Sequence, residues 1–96
     1  MRIDCSKIHP HIRARMRQRG ISKQELEITL EKGWEALDAK QGTQGKTYVF
    51  DYSGTWAGKP YEEKEVTVYY KIADGDLVLL TAKARYGRDF NRKRGT

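Results

Sequence analysis

Along the first third of the chain apolar residues return every three or four positions. In the last third they return at every second position, and the change of period falls near Gly33. Ile8, Ile12 and Met16 are four apart and predict one apolar stripe on a helix from about Lys7 to Arg19. Ser6 would cap that helix, with Pro10 in the first turn, where its missing N–H has no helical partner. Alternatively Pro10 opens the helix and His9 caps it. Gly20 suits the left-handed residue after the last turn. Ser22 then caps a second helix, Glu25 completes a capping box, and Ile21 and Leu26 hold the two staple positions. This helix reaches about Lys32 and stops at Gly33.

Beyond Gly33 the pattern predicts strands. Trp34-Glu35-Ala36-Leu37 opens the sheet, Gln41 to Gly45 is a turn, and Thr47 to Tyr52 is rich in strand formers. Ser53 to Pro60, with two glycines and a proline, reads as a loop carrying Trp56. Lys64 to Ile72 alternates, Ala73-Asp74-Gly75-Asp76 has the Asp-Gly hairpin signature, and Leu77 to Arg85 returns as the partner strand. On the first hairpin strand Val66, Val68 and Tyr70 share one face, and Thr67, Tyr69 and Lys71 the other. On the second, Thr81, Lys83 and Arg85 alternate with Ala82, Ala84 and Tyr86. The expected fold is α+β: two N-terminal helices packed on a twisted, mostly antiparallel sheet of about four strands.

Ninety-six residues make one domain with a single modest core, about 6–86, followed by a basic and mobile tail over 87–96. A charged fraction of 33% sits beside 38% hydrophobic residues and ten aromatics, enough large side chains for a folded core. One cysteine, Cys5, excludes an intramolecular disulfide and a multi-cysteine metal cage. No apolar run approaches the roughly 20 residues that span a bilayer, and no secretory leader is visible, so a cytoplasmic chain without membrane contact is expected.

The net charge of +6 is unevenly placed. Residues 1–23 carry seven Lys/Arg against Asp4, residues 24–65 carry five against nine acids, and residues 66–96 carry seven against three. Were the last strand to pack beside the first helix, the two basic segments would merge into one face, a footprint of nucleic-acid binding. Five of the seven N-terminal cations are arginine, the better phosphate fork. The alternative is a solvated surface with an excess of lysine and arginine.

His11, Arg15 and Arg19 fall at i, i+4 and i+8 and form a stripe beside the apolar one. Cleavage of RNA without a metal needs a base near the 2′-hydroxyl, an acid for the leaving oxygen, and cations around the phosphorane. His11 is the candidate base or acid, with Arg15 and Arg19 stabilising phosphate charge and Thr81 assisting from the sheet. Arg13, Lys83 and Arg85 are candidate substrate contacts, and Tyr69 or Tyr86 would stack a base or supply a proton. The polar set Thr81, Lys83 and Arg85 would form a floor beneath His11 and Arg15. The structural alternatives are a His11 that packs at the sheet edge and an ordinary solvent face on the strand. His9 lies off the arginine stripe and is the weaker candidate. Two histidines at i and i+2 point apart on a helix, so no metal and no cofactor is expected.

The run His11, Arg15, Met16, Arg19, Gly20, Ile21, Ser22, in the pattern His-x-x-x-Arg-Met-x-x-Arg-Gly-Ile-Ser, resembles the opening of the bacterial family known as domain of unknown function 4258. Gly33 and Leu79-Leu80-Thr81 match its later course, and the likeness covers roughly 6–86. By fold-level analogy the resemblance implies the barnase/colicin/RelE-like group of metal-independent RNases, found as toxins with antitoxin partners. The Trp56 segment and the basic tail depart from that pattern. The leading expectation is therefore an endoribonuclease toxin acting on RNA, with an acidic antitoxin or immunity protein as partner. The runner-up is a non-catalytic RNA-binding or partner-regulating module on the same basic face. The third is a structural protein whose arginines dock an acidic partner.

Overall fold

A computed structural model of the chain describes residues 10–88 and 90. Expectations for Cys5, the Ser6 cap, the Lys7 start, Ile8, His9 and the Arg92-Lys93-Arg94 tail lie outside the described residues.

The first helix, α1, spans Pro10–Arg19, and α2 spans Lys23–Lys32. Gly20 takes φ +70, and two backbone bonds close α1 behind it: Gly20 N–H to the Arg17 carbonyl at 3.3 Å and Ile21 N–H to the Met16 carbonyl at 2.8 Å. That pair is the Schellman closure, and its usual apolar contact is supplied by Ile21 and Met16, both in the core. Ser22 Oγ accepts from Glu25 N–H at 3.0 Å while Glu25 Oε1 accepts from Ser22 N–H at 2.9 Å, the expected capping box. Gly33 ends α2 with an ordinary φ of −72. Glycine is required there by closeness instead, because a Cβ would lie 2.3 Å from the Thr29 carbonyl oxygen and 2.6 Å from that of Thr47.

Four strands follow: β1 Trp34–Glu35, β2 Gln44–Trp56, β3 Lys59–Ala73 and β4 Asp76–Gly87. They pair in sequence order, each antiparallel to the last. The fold is α+β, as the pattern predicted. Both helices cover one face. There α1 lies against β4 and α2 against β2 and β3. The core joins Ile12, Met16, Ile21, Leu26 and Leu30 to Val66, Val68, Tyr70 and Ala82. Among the described residues no helix is long and apolar enough to cross a membrane.

The structure corrects the Ser53–Pro60 loop. β2 runs on to Trp56 and β3 begins at Lys59, so the segment is a long hairpin closed by Ala57 and Gly58. Both turn residues have positive φ, 53 and 82, the type I′ geometry that matches strand twist. A bulge between Asp51 and Gly54 places Tyr52 and Ser53 opposite a single residue of β3 and bends the hairpin toward the helices. Trp56 thereby stacks on Tyr86 with ring centres 4.8 Å apart and planes within 10°. Ala57 is an exposed non-glycine in the left-handed region, which costs about 1–2 kcal/mol for an L-residue. Ala57→Asn should recover about 1 kcal/mol and raise the melting temperature by roughly 4–8 °C in a thermal scan. No rise would exclude a left-handed backbone at Ala57 in solution.

Lys64 brings a buried charge into the helix side of the sheet. It is 2% exposed, donates to the Gly20 carbonyl, and donates to Glu25 Oε1 at 2.8 Å. Its ammonium also sits 5.5 Å from the Tyr86 ring centre and 5.8 Å from that of Tyr52. The turn between the helices is thus fastened to β3.

Candidate functional site

The sheet has a second face, turned away from the helices, and alternation decides what it carries. Val66 and Val68 pair with Ala84 and Ala82 on the helix side. The residues between them therefore project the other way, as three rungs: Glu65 opposite Arg85, Thr67 opposite Lys83, and Tyr69 opposite Thr81. Consecutive rungs lie about 6–7 Å apart along the strands.

The segment after β1 folds over this face. Ala36 N–H donates to the Gly45 carbonyl at 2.9 Å, and Gly45 is needed beneath it, since a Cβ would meet Ala36 at 2.9 Å and the Tyr69 ring at 3.1 Å. Further along, Asp38 accepts from Tyr69 OH at 2.8 and 2.9 Å and from Lys83 Nζ at 3.1 Å. At the far side the Arg85 guanidinium lies 5.0 Å from the centre of the Phe90 ring, and Phe90 N–H donates to Glu63 at 2.9 Å. Of the predicted tail, then, Phe90 is packed onto the sheet. Between segment 34–38 and β4 runs a groove of about 450 Å³, within the range of small-ligand sites.

The groove's polar groups are paired without being exhausted. Arg85 Nε donates to Glu65 Oε1 at 2.8 Å, leaving its two Nη groups with four more N–H donors. Glu65 is the better sheltered partner, 14% exposed against 65% for the arginine side chain. Hydrogen bonding from Tyr69 and then Lys83 holds the Asp38 carboxyl below its ordinary range. Burial, reinforced by Asp38 and opposed by Lys83, pushes the Tyr69 phenol above its usual value near 10. The Lys83 ammonium is held above its usual range by Tyr69 and Asp38, against the effect of burial. At neutral pH the groove thus presents a protonated phenol and a lysine cation.

The proposed site residues divide between the two faces. Lys83, Arg85, Tyr69 and Thr81 gather in or beside the groove. His11, Arg13, Arg15 and Arg19 belong to α1, across the sheet, so the strand set is no floor beneath His11 and Arg15. His11 and Arg13 are exposed, and Arg15 Nε donates to His11 Nε2 at 3.4 Å. Arg19 donates to the Ala82 carbonyl and serves as an anchor of α1 on β4. Tyr86 also lies on the helix side, its hydroxyl donating to the Arg19 carbonyl at 2.6 Å and its pKa pushed up to about 12 by burial. The two basic segments do adjoin, as α1 packs on β4, but they meet around the edge of the sheet instead of on one face. Sequence reasoning missed Glu65, Asp38 and Trp34, although Glu65 was legible in principle as the carboxylate nearest the Lys83/Arg85 face. Among the described residues no three His, Cys, Asp or Glu side chains gather as a metal-binding group.

Comparisons of the chain with protein-family models, with curated proteins and with solved structures gave no match.

Proposed function

We propose that this protein is an endoribonuclease that cleaves RNA with side-chain groups of the open-face groove. One observation carries the reading: two cations, a carboxylate and a protonated phenol occupy three successive rungs of β3 and β4. A phosphate seated over the middle rung, Thr67 and Lys83, has Glu65 one rung away on one side and Tyr69 one rung away on the other. Acid and base flanking a phosphate is the layout that in-line displacement requires. Glu65 accepts the proton of the ribose 2′-hydroxyl as its oxygen bonds to phosphorus. The bond from phosphorus to the 5′-oxygen breaks, and Tyr69 donates its proton to that oxygen. The products are a 2′,3′-cyclic phosphate and a 5′-hydroxyl end. Lys83 and the Arg85 Nη groups hold the charge that develops on the phosphorane. The reading keeps the reaction class that the resemblance over 6–86 implies but moves it off the run from His11 to Ser22, and it calls for action in a compartment that holds RNA, such as the cytoplasm.

A second reading places catalysis on α1, supported by the contact between His11 and Arg15. Cleavage of bulk RNA in EDTA separates the two. The groove predicts full activity for His11→Ala and a loss of roughly 10²–10³-fold for Arg85→Ala, the usual scale for one oxyanion donor. The reverse pattern moves the site to α1. A folded wild type that binds RNA and never cleaves it leaves the groove to a non-catalytic RNA-binding module.

A further inference from the structure

One rung of the open face crosses all four strands. Trp34 of β1 pairs with Thr47 of β2, Thr47 with Thr67 of β3, and Thr67 with Lys83 of β4. Paired residues project to the same side, and Trp34, Thr47, Thr67 and Lys83 all line the groove, the indole at its edge also meeting the Tyr48 ring with centres 5.8 Å apart. Three inter-strand steps separate the end Cα atoms by about 14 Å. The hydroxyls form the floor: Thr47 is 9% and Thr67 3% exposed, with their Oγ1 atoms 3.0 Å apart. Either hydroxyl can be the donor in that bond, so the pair can turn a donor or an acceptor toward a ligand. Leu37 also lines the groove, next to its apolar end, and is 80% exposed. Arg85 extends the cationic end.

Aromatic, then hydroxyl, then cation is the order in which a nucleotide presents base, sugar and phosphate. We propose that this rung is a nucleotide subsite, with the base against Trp34 and Leu37, the ribose over Thr47 and Thr67, and the phosphate at Lys83 and Arg85. The assignment rests on the groove being the RNA site and adds to it the wall that recognises the base. Stacking is tolerant of base identity, because every base offers a π-face. The subsite is therefore selective for nucleotides over other phosphates, and only weakly among bases.

Calorimetric titration with adenosine 5′-monophosphate, cytidine 5′-monophosphate and inorganic phosphate tests it. Both nucleotides should bind the wild type at least about fivefold more tightly than inorganic phosphate, the low end of what one stacked base contributes. Trp34→Ala should remove that advantage without changing phosphate affinity. Leu37→Ser should reduce it, and because Leu37 is exposed this variant folds even if Trp34→Ala does not. Lys83→Ala should weaken nucleotides and phosphate together. Equal affinity for nucleotides and phosphate overturns the subsite, as does an advantage that survives both wall substitutions, and each leaves the groove reading in place. Phosphate affinity untouched by Lys83→Ala and Arg85→Ala overturns the groove itself. A wild type that binds no nucleotide overturns both.

Discussion

Lys64→Ala should destabilise the protein by about 3–5 kcal/mol, read as a shift in the urea midpoint at constant slope. Lys64 is the donor to a carboxylate and a carbonyl that lie between the helices and the sheet. Glu25 Oε1 accepts from Ser22 N–H and from Lys64 Nζ, so one oxygen completes the capping box and ties it to β3. Removing the ammonium leaves a partly buried negative charge and the Gly20 carbonyl short of a partner, and removing one half of a buried pair is the costly case. The Tyr52 and Tyr86 rings lose a cation at the same time. For a domain whose total stability is about 5–15 kcal/mol, that loss reaches a large fraction of the whole. The double variant Lys64→Met with Glu25→Gln should recover part of it, because no charge is then stranded. A loss below about 1 kcal/mol for Lys64→Ala would show that water replaces the ammonium and that the site is open.

The neighbouring residue should behave in the opposite way. Glu65→Gln is expected to lower single-turnover RNA cleavage by about 10²–10⁴-fold, the range for a general base, while leaving the urea midpoint nearly unchanged. Its Arg85 partner is well exposed, so losing the carboxylate strands no buried charge. The amide keeps an acceptor for Arg85 Nε but cannot take the 2′ proton. Tyr69→Phe should also slow the reaction by removing the proton donor. Because burial holds the Tyr69 phenol above its ordinary range, that donor stays protonated through neutral pH, and an alkaline decline due to it should come at higher pH than an ordinary tyrosine would give. Undiminished cleavage by Glu65→Gln would remove Glu65 as the base. Lys64 and Glu65 are adjacent in sequence, and the alternation of β3 sends one to the core and one to the groove.

Local signals were readable where the chemistry of a turn or cap is short-range. Gly20, Ser22 with Glu25, and Asp74 with Gly75 each specify their backbone within four residues, and each stands as expected. The hairpin at Ala57 and Gly58 escaped because its first turn residue is neither Asn nor Asp and pays for its positive φ unaided. The layout of the site was hidden by a single residue. Counting outward from the Asp74-Gly75 turn pairs Ala73 with Asp76, Ile72 with Leu77 and Tyr70 with Leu79. That register, continued, would put Lys83 opposite Val66, on the side of His11 and Arg15. Instead Tyr69 pairs with Thr81, leaving Leu80 unmatched, and the extra residue turns Lys83 and Arg85 to the other face. A bulge of this kind has no strict sequence signature beyond two successive apolar residues, here Leu79 and Leu80. Trp34 was read as a strand residue, but its alignment with Lys83 depends on three registers in succession.

The seat of α1 on β4 brings the first described helix onto the last strand. Arg19 and Ala82, bonded across that contact, are 63 positions apart. All strand pairings of the meander close between neighbours, so this is the long closure of the fold, with an entropic cost of about 4 kcal/mol on a logarithmic scale. Opposing it are the burial of Ile12 and Met16 against the sheet and the Arg19 bond to the Ala82 carbonyl. Chain ends ordinarily fray before the centre of a domain does. Here peeling either α1 or β4 uncovers the other, so neither element can loosen by itself, and the helices and the sheet are bound to melt in one cooperative step.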